Sequence, residues 1–124
     1  MYRVAVVIPS GDHSRDESLK GLLSDLSEQT LVPSEIEIVR GVSPSGRARN
    51  QGWRKVNADY IVFVDDDVRL GCSKVIQELI DTLQVPGVGL AGTAQLLPAD
   101  STRFQQKCSA QIPRSVSRVV DTIT

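Results

Sequence analysis

The amino-acid sequence predicts an α/β fold in three layers, with helices on both faces of a mostly parallel sheet. Three observations predict it. Short apolar runs rich in β-branched residues alternate in order with segments whose apolar residues share one helical face. One of these runs, at 60–64, is nearly unbroken, as suits a strand covered on both faces of a parallel sheet. Proline, glycine or a polar cluster separates each run from the next segment.

Arg3 to Ile8, RVAVVI, reads as the first strand, stopped by Pro9-Ser10 because proline cannot continue a central ladder. A polar loop follows, Gly11 to Ser14. Asp16 or Ser14 can then cap a helix carrying Leu19, Leu22, Leu23 and Leu26 on one face. That helix ends near Gln29-Thr30, ahead of Pro33. Glu35 to Arg40, EIEIVR, is the second strand, and Gly41 to Gly46 a glycine-flanked loop. Arg47 to Val56 reads as a helix with Ala48 and either Trp53 or Gly52 inward. Tyr60 to Val64 is the third strand. Val75, Ile76, Leu79, Ile80 and Leu83 return to helical spacing and end at Pro86-Gly87. Val88 to Leu97 reads as a fourth strand. Asp100 or Ser101 can cap a weaker helix through Gln111, and Ser115 to Ile123 fits helix or strand equally.

At 124 residues, with 40% hydrophobic and 23% charged residues, the chain fits one globular domain. A net charge of −1 gives no bulk attraction to nucleic acid or membrane, so no nucleic-acid partner is expected. Locally, Arg40, Arg47, Arg49, Arg54 and Lys55 cluster upstream of the third strand, with Arg54 and Lys55 assigned to a solvated helix face. Cys72 and Cys108 have neither metal-ligand spacing nor a disulfide framework. His13 is the only histidine, which argues against zinc sites built on histidine and against a Ser-His-Asp hydrolase. No signal peptide or membrane-spanning stretch is legible. The expected location is cytoplasmic, peripheral at the membrane face if the acceptor is membrane-bound.

The chemistry concentrates at Asp65, Asp66 and Asp67, directly after the third strand. Ligands of open α/β sheets bind beyond the carboxyl ends of the strands. Three adjacent carboxylates repel one another, so a hard divalent cation, Mn²⁺ or Mg²⁺, is expected there. In extended chain Asp65 and Asp67 point one way and Asp66 the other.

Three kinds of α/β protein place acid at a strand end. Gly41 to Ala48, GVSPSGRA, has the glycine spacing of a phosphate loop, but Arg47 and Ala48 stand where lysine and a hydroxyl residue are needed. Phospho-acceptor receivers need acids after the first strand, where this chain has Ile8-Pro9-Ser10, and a later lysine than Lys107. The third kind fits. VAVVIPS (Val4 to Ser10), QTLVPSEI (Gln29 to Ile36), ARNQG (Ala48 to Gly52) and YIVFVDDD (Tyr60 to Asp67) occur in the order found in the inverting family-2 glycosyltransferases. The chain resembles the nucleotide-binding N-terminal half of those GT-A enzymes, whose fold is Rossmann-like, and Asp65 to Asp67 resemble their Asp-x-Asp motif.

The resemblance implies a donor site for a nucleotide-diphosphate sugar and an acceptor hydroxyl, on a glycan or lipid-linked glycan. Nucleotide contacts would fall to Pro9, Ser10, Arg49, Asn50, Asp65 and Asp66. Asp67 would ligate Mn²⁺ or Mg²⁺, and Asp65 would hold the ribose or share the metal through water. One departure stands out. Where the family commonly carries an acidic run after the second strand, with an aspartate for the base, this chain has Arg40-Gly41-Val42. The family's catalytic base is a carboxylate from the acceptor half, and after Asp100 the only acid is Asp121. No catalytic base is therefore named. Residues 1–124 are expected to form the donor half alone, truncated before the acceptor half. Exposed apolar surface and self-association should follow. A module that binds a nucleotide sugar without turning it over is the alternative.

Overall fold

The computed structural model describes residues 2–94, 96–97 and 99–111. The chain divides into two compact units, Met1–Gly89 and Leu90–Thr124. The first holds a three-stranded sheet of β1 (Val4–Ser10), β2 (Glu35–Arg40) and β3 (Tyr60–Phe63). Its helices are α1 (Asp16–Ser27), α2 (Ser45–Trp53) and α3 (Val75–Leu83). The strand order is β2-β1-β3 and both pairings are parallel, with Val6 opposite Ile36 on one side and Val62 on the other.

β1 is central, and Val4, Ala5, Val6, Val7 and Ile8 are all buried. Because side chains alternate across a strand, its two faces feed two cores. Val4, Val6 and Ile8 pack with Leu19, Leu22 and Leu26 of α1 and Ile76 and Ile80 of α3. Val7 packs with Val39 of β2 and Ala48 of α2. Helices thus cover both faces, which gives the three-layer α/β arrangement expected, of GT-A and Rossmann-like type. α2 lies close to the sheet because Gly52 has no side chain. A Cβ there would run into Val7 Cγ1 and sit 3.0 Å from Val39 Cγ2. The inward pair of α2 is Ala48 and Gly52, four apart, while Trp53 is largely exposed.

β3 departs from the expectation of a strand buried on both faces. Tyr60, Ile61 and Val62 are half-buried and Phe63 is 45% exposed. Among the described residues this strand pairs only with β1, which makes it an edge there. Apolar content marks a strand but does not say where in the sheet order it falls.

Buried polar groups tie the segment after β3 to α1. Gln29 is 5% exposed. Its Nε2 donates to the Cys72 and Asp25 carbonyls at 2.8 and 3.3 Å, and its Oε1 accepts from the Ile76 amide at 3.1 Å. Arg69 donates to both oxygens of Asp25 at 2.7 and 2.9 Å, and the Leu70 amide adds a bond at 3.0 Å. The Arg69 hydrogen bonds hold the Asp25 carboxyl below the usual carboxylate range, outweighing partial desolvation.

In the second unit, α4 (Arg103–Gln111) begins with a reciprocal cap. The Gln105 amide donates to Thr102 Oγ1 at 3.2 Å and the Thr102 amide to Gln105 Oε1 at 2.8 Å. Thr102, rather than Asp100 or Ser101, is the cap because the residue three positions on can answer it. The expected fourth strand is not formed: among the described residues of 88–97 there is no strand. Its two glycines, Gly89 and Gly92, lower strand stability, and no neighbouring strand among the described residues supplies a ladder. Gln95, Pro98 and residues 112–124, with the ambiguous segment and Asp121, lie outside the described residues. No helix among the described residues is long and apolar enough to cross a membrane.

Candidate donor-binding cleft at the ends of β1 and β3

From β1 the chain crosses by α1 to β2 on one side, then by α2 to β3 on the other. The carboxyl ends of β1 and β3 therefore flank the point where the sheet order reverses, where such sheets open a crevice. A cavity of about 560 Å³ lies there, within the usual range for small-molecule sites. Pro9, Ser10, Arg49, Asp65, Asp66 and Asp67 all line it, together with Asp12 and Arg15.

The three aspartates have different surroundings. Asp66 is 5% exposed. Its Oδ2 accepts a 2.9 Å hydrogen bond from Ser10 Oγ, and its Oδ1 faces Arg15 Nη1 at 3.2 Å. Asp65 and Asp67 are roughly half exposed. Asp65 Oδ1 accepts from Arg49 Nη2 at 2.9 Å, and Asp67 Oδ2 lies 3.1 Å from Arg15 Nη1. These pairs engage one oxygen on each of Asp65 and Asp67 and both oxygens of Asp66. The expected alternation separates buried Asp66 from its neighbours, yet all three border one cleft. The chain leaves the sheet after Phe63 and turns at Asp66–Asp67, with the Val68 amide bonded to the Asp65 carbonyl at 3.4 Å, so the two-residue period no longer holds.

Asn50 is not brought to this cleft. It accepts a hydrogen bond from Trp53 Nε1 at 3.3 Å and borders a separate depression with Arg47, Arg54 and Lys55. Helical spacing explains the split: Ala48 and Gly52 face the sheet, so Asn50 and Arg54 stand on another face of α2. Arg40 is bonded to Asp16 at 3.1 Å. A hydrogen bond to His13, and then the Arg40 contact, hold Asp16 below the usual carboxylate range.

Two lining residues, Asp12 and Arg15, escape a reading for motifs. The Asp12 carboxylate accepts from the Ser14 amide at 2.9 Å and caps a single 3-10 turn, His13–Arg15. Hydrogen bonds from Ser14, side chain first, hold Asp12 below its ordinary value. This capped turn replaces a side-chain cap on α1, whose first turn has none, and it delivers Arg15 to the acidic strand end. Hydrogen bonding to Asp66, then the charge of Asp67, raise the Arg15 guanidinium above its already high value. The usable signal was Asp12-x-Ser14, an aspartate bonding the backbone two residues on.

Among the described residues, no three His, Cys, Asp or Glu side chains are grouped to hold a metal ion. The hard oxygen donors of Asp65 and Asp67 match Mn²⁺ or Mg²⁺ in kind. Two carboxylates fit such an ion only if phosphate oxygens and water complete its shell.

A parallel sheet with helices on both faces and a charged cleft at its reversal point defines an α/β domain of the kind whose ligands bind beyond the strand ends. The chain belongs to glycosyltransferase family 2: the model of that family, Glycosyl transferase family 2, matches residues 6–118. Membership carries glycosyl transfer as the class of activity. Comparison with curated proteins gave no match, and comparison with solved structures gave none.

Proposed function

We propose that the cleft binds the diphosphate of a nucleotide-sugar donor together with a divalent cation, as the donor site for transfer to an acceptor hydroxyl. One observation carries this reading: Ser10, Arg15, Arg49 and the three aspartates converge at the carboxyl ends of β1 and β3. Charge supports the cation. Four carboxylates and two guanidinium groups line the cleft, for a formal charge of −2. A bare diphosphate would be repelled, and a divalent ion cancels the lining charge.

Asp65 and Asp67 would hold that ion, which when bound would neutralise charge developing on the leaving diphosphate. Ser10 keeps Asp66 fixed, so the turn carrying Asp65 and Asp67 stays in register with β1. Arg49, anchored on α2 by Ser45 Oγ at 3.3 Å, can exchange its carboxylate partner for a phosphate oxygen.

Calorimetric titration with UDP and GDP, with and without Mn²⁺, tests the reading. Saturable diphosphate binding that strengthens with Mn²⁺ is expected. A chain that takes up neither nucleotide at millimolar concentration with Mn²⁺ present would overturn it.

A further inference from the structure

Arg15 is the lining group with the most specific unexplained geometry. One nitrogen, Nη1, bridges two carboxylates, 3.2 Å from Asp66 Oδ1 and 3.1 Å from Asp67 Oδ2. Its side chain is 55% exposed. The partners differ in what they lose if it leaves. Asp66 is buried but keeps the Ser10 bond, whereas Asp67 is half exposed and can be solvated.

We infer that Arg15 is a positioning residue that exchanges with the divalent cation at Asp67 and then turns to the diphosphate. This rests on the donor-site reading above. The cation competes with Arg15 for the same Asp67 carboxylate. Once displaced, the guanidinium remains on the cleft wall, where its donor fork matches phosphate geometry. Metal and diphosphate would then favour one another: the metal frees a phosphate-binding group, and the phosphate keeps that group off the metal's ligand. Such coupling is reciprocal between the two ligands.

The exchange makes Arg15 oppose one ligand and assist the other. A merely structural role would weaken both when Arg15 is lost. Free Mn²⁺ can be followed by electron paramagnetic resonance, and inorganic pyrophosphate at saturating Mn²⁺ by calorimetry, for the parent, Arg15→Ala and Arg15→Lys. Arg15→Ala should bind Mn²⁺ about two- to fivefold tighter, the range set by half-exposed ion pairs, and pyrophosphate weaker by a similar factor. Arg15→Lys should fall between the two for Mn²⁺, since a point charge bridges two carboxylates less well. The inference is overturned if the parent binds Mn²⁺ and neither variant binds it more tightly, or if both affinities fall together in both variants. A parent that binds neither Mn²⁺ nor pyrophosphate overturns the donor-site reading itself, which separates the two failures.

Discussion

Ser10 Oγ donates a 2.9 Å hydrogen bond to Asp66 Oδ2, joining residues 56 apart in sequence. It fastens the end of the central strand to the turn that carries the acidic triplet. Ser10→Ala should leave a buried carboxylate oxygen without its donor and lower the unfolding free energy by about 1–3 kcal/mol. Urea denaturation measures this. A change under about 0.5 kcal/mol, the level of ordinary surface substitutions, would show that the bond does not hold the turn.

Different roles within the triplet give different phenotypes. Asp67→Ala and Asp65→Ala should each reduce the gain in UDP or GDP affinity brought by Mn²⁺, by about 10- to 100-fold, as loss of groups supporting a metal site commonly does. Asp66→Asn should act chiefly on stability, because Asp66 already spends both oxygens on Ser10 and Arg15. Titration beside urea denaturation separates the effects. Equal loss of metal response in all three variants would refute the division.

Gly52 and Gly46 lie in one helix but should respond oppositely to alanine. A Cβ at Gly52 meets Val7 and Val39, while at Gly46 there is nothing within 4 Å. Gly52→Ala should cost about 1–3 kcal/mol, as overpacking does. Gly46→Ala should gain up to about 1 kcal/mol from helix propensity. Thermal unfolding of both variants checks the contrast.

The Asp25–Arg69 pair makes part of the stability depend on acid. The folded Asp25 carboxyl lies below its unfolded value. Its contribution is therefore complete above the ordinary carboxylate range and is lost as pH falls through the lowered folded value. Asp25→Asn should be clearly less stable than the parent at pH 7, and the gap should narrow below about pH 4. A gap that stays constant across that range would contradict the assignment.

β2 and β3 are each paired on one side only among the described residues, and Ile36 and Phe63 are exposed. Unpaired edges with apolar side chains favour association. Sedimentation velocity should show a mass that rises with concentration, and Phe63→Lys should reduce that rise. A monomer at every concentration would count against it.

Much of the first unit was legible because its signals are local. The helix over Leu19 to Leu26 and that over Val75 to Leu83 follow from apolar spacing alone. So do the strands beginning at Val4, Glu35 and Tyr60. The strand over Val88 to Leu97 failed because a strand is completed by a partner, which no local pattern supplies. The equal-looking runs of β1 and β3 hid a central strand and an edge for the same reason.

By itself, the sequence determined the elements, the parallel α/β class and the placing of three carboxylates at a strand end, since each depends on residues close together in the chain. Only the tertiary structure decided what those carboxylates meet. Ser10 and Arg15 approach Asp66 from 56 and 51 residues away, and Arg49 approaches Asp65 from 16. Asn50, adjacent to Arg49, is carried off by the turn of the helix. Contacts between distant residues are set by how the elements cross and pack, and that geometry exists only once β1 lies between β2 and β3.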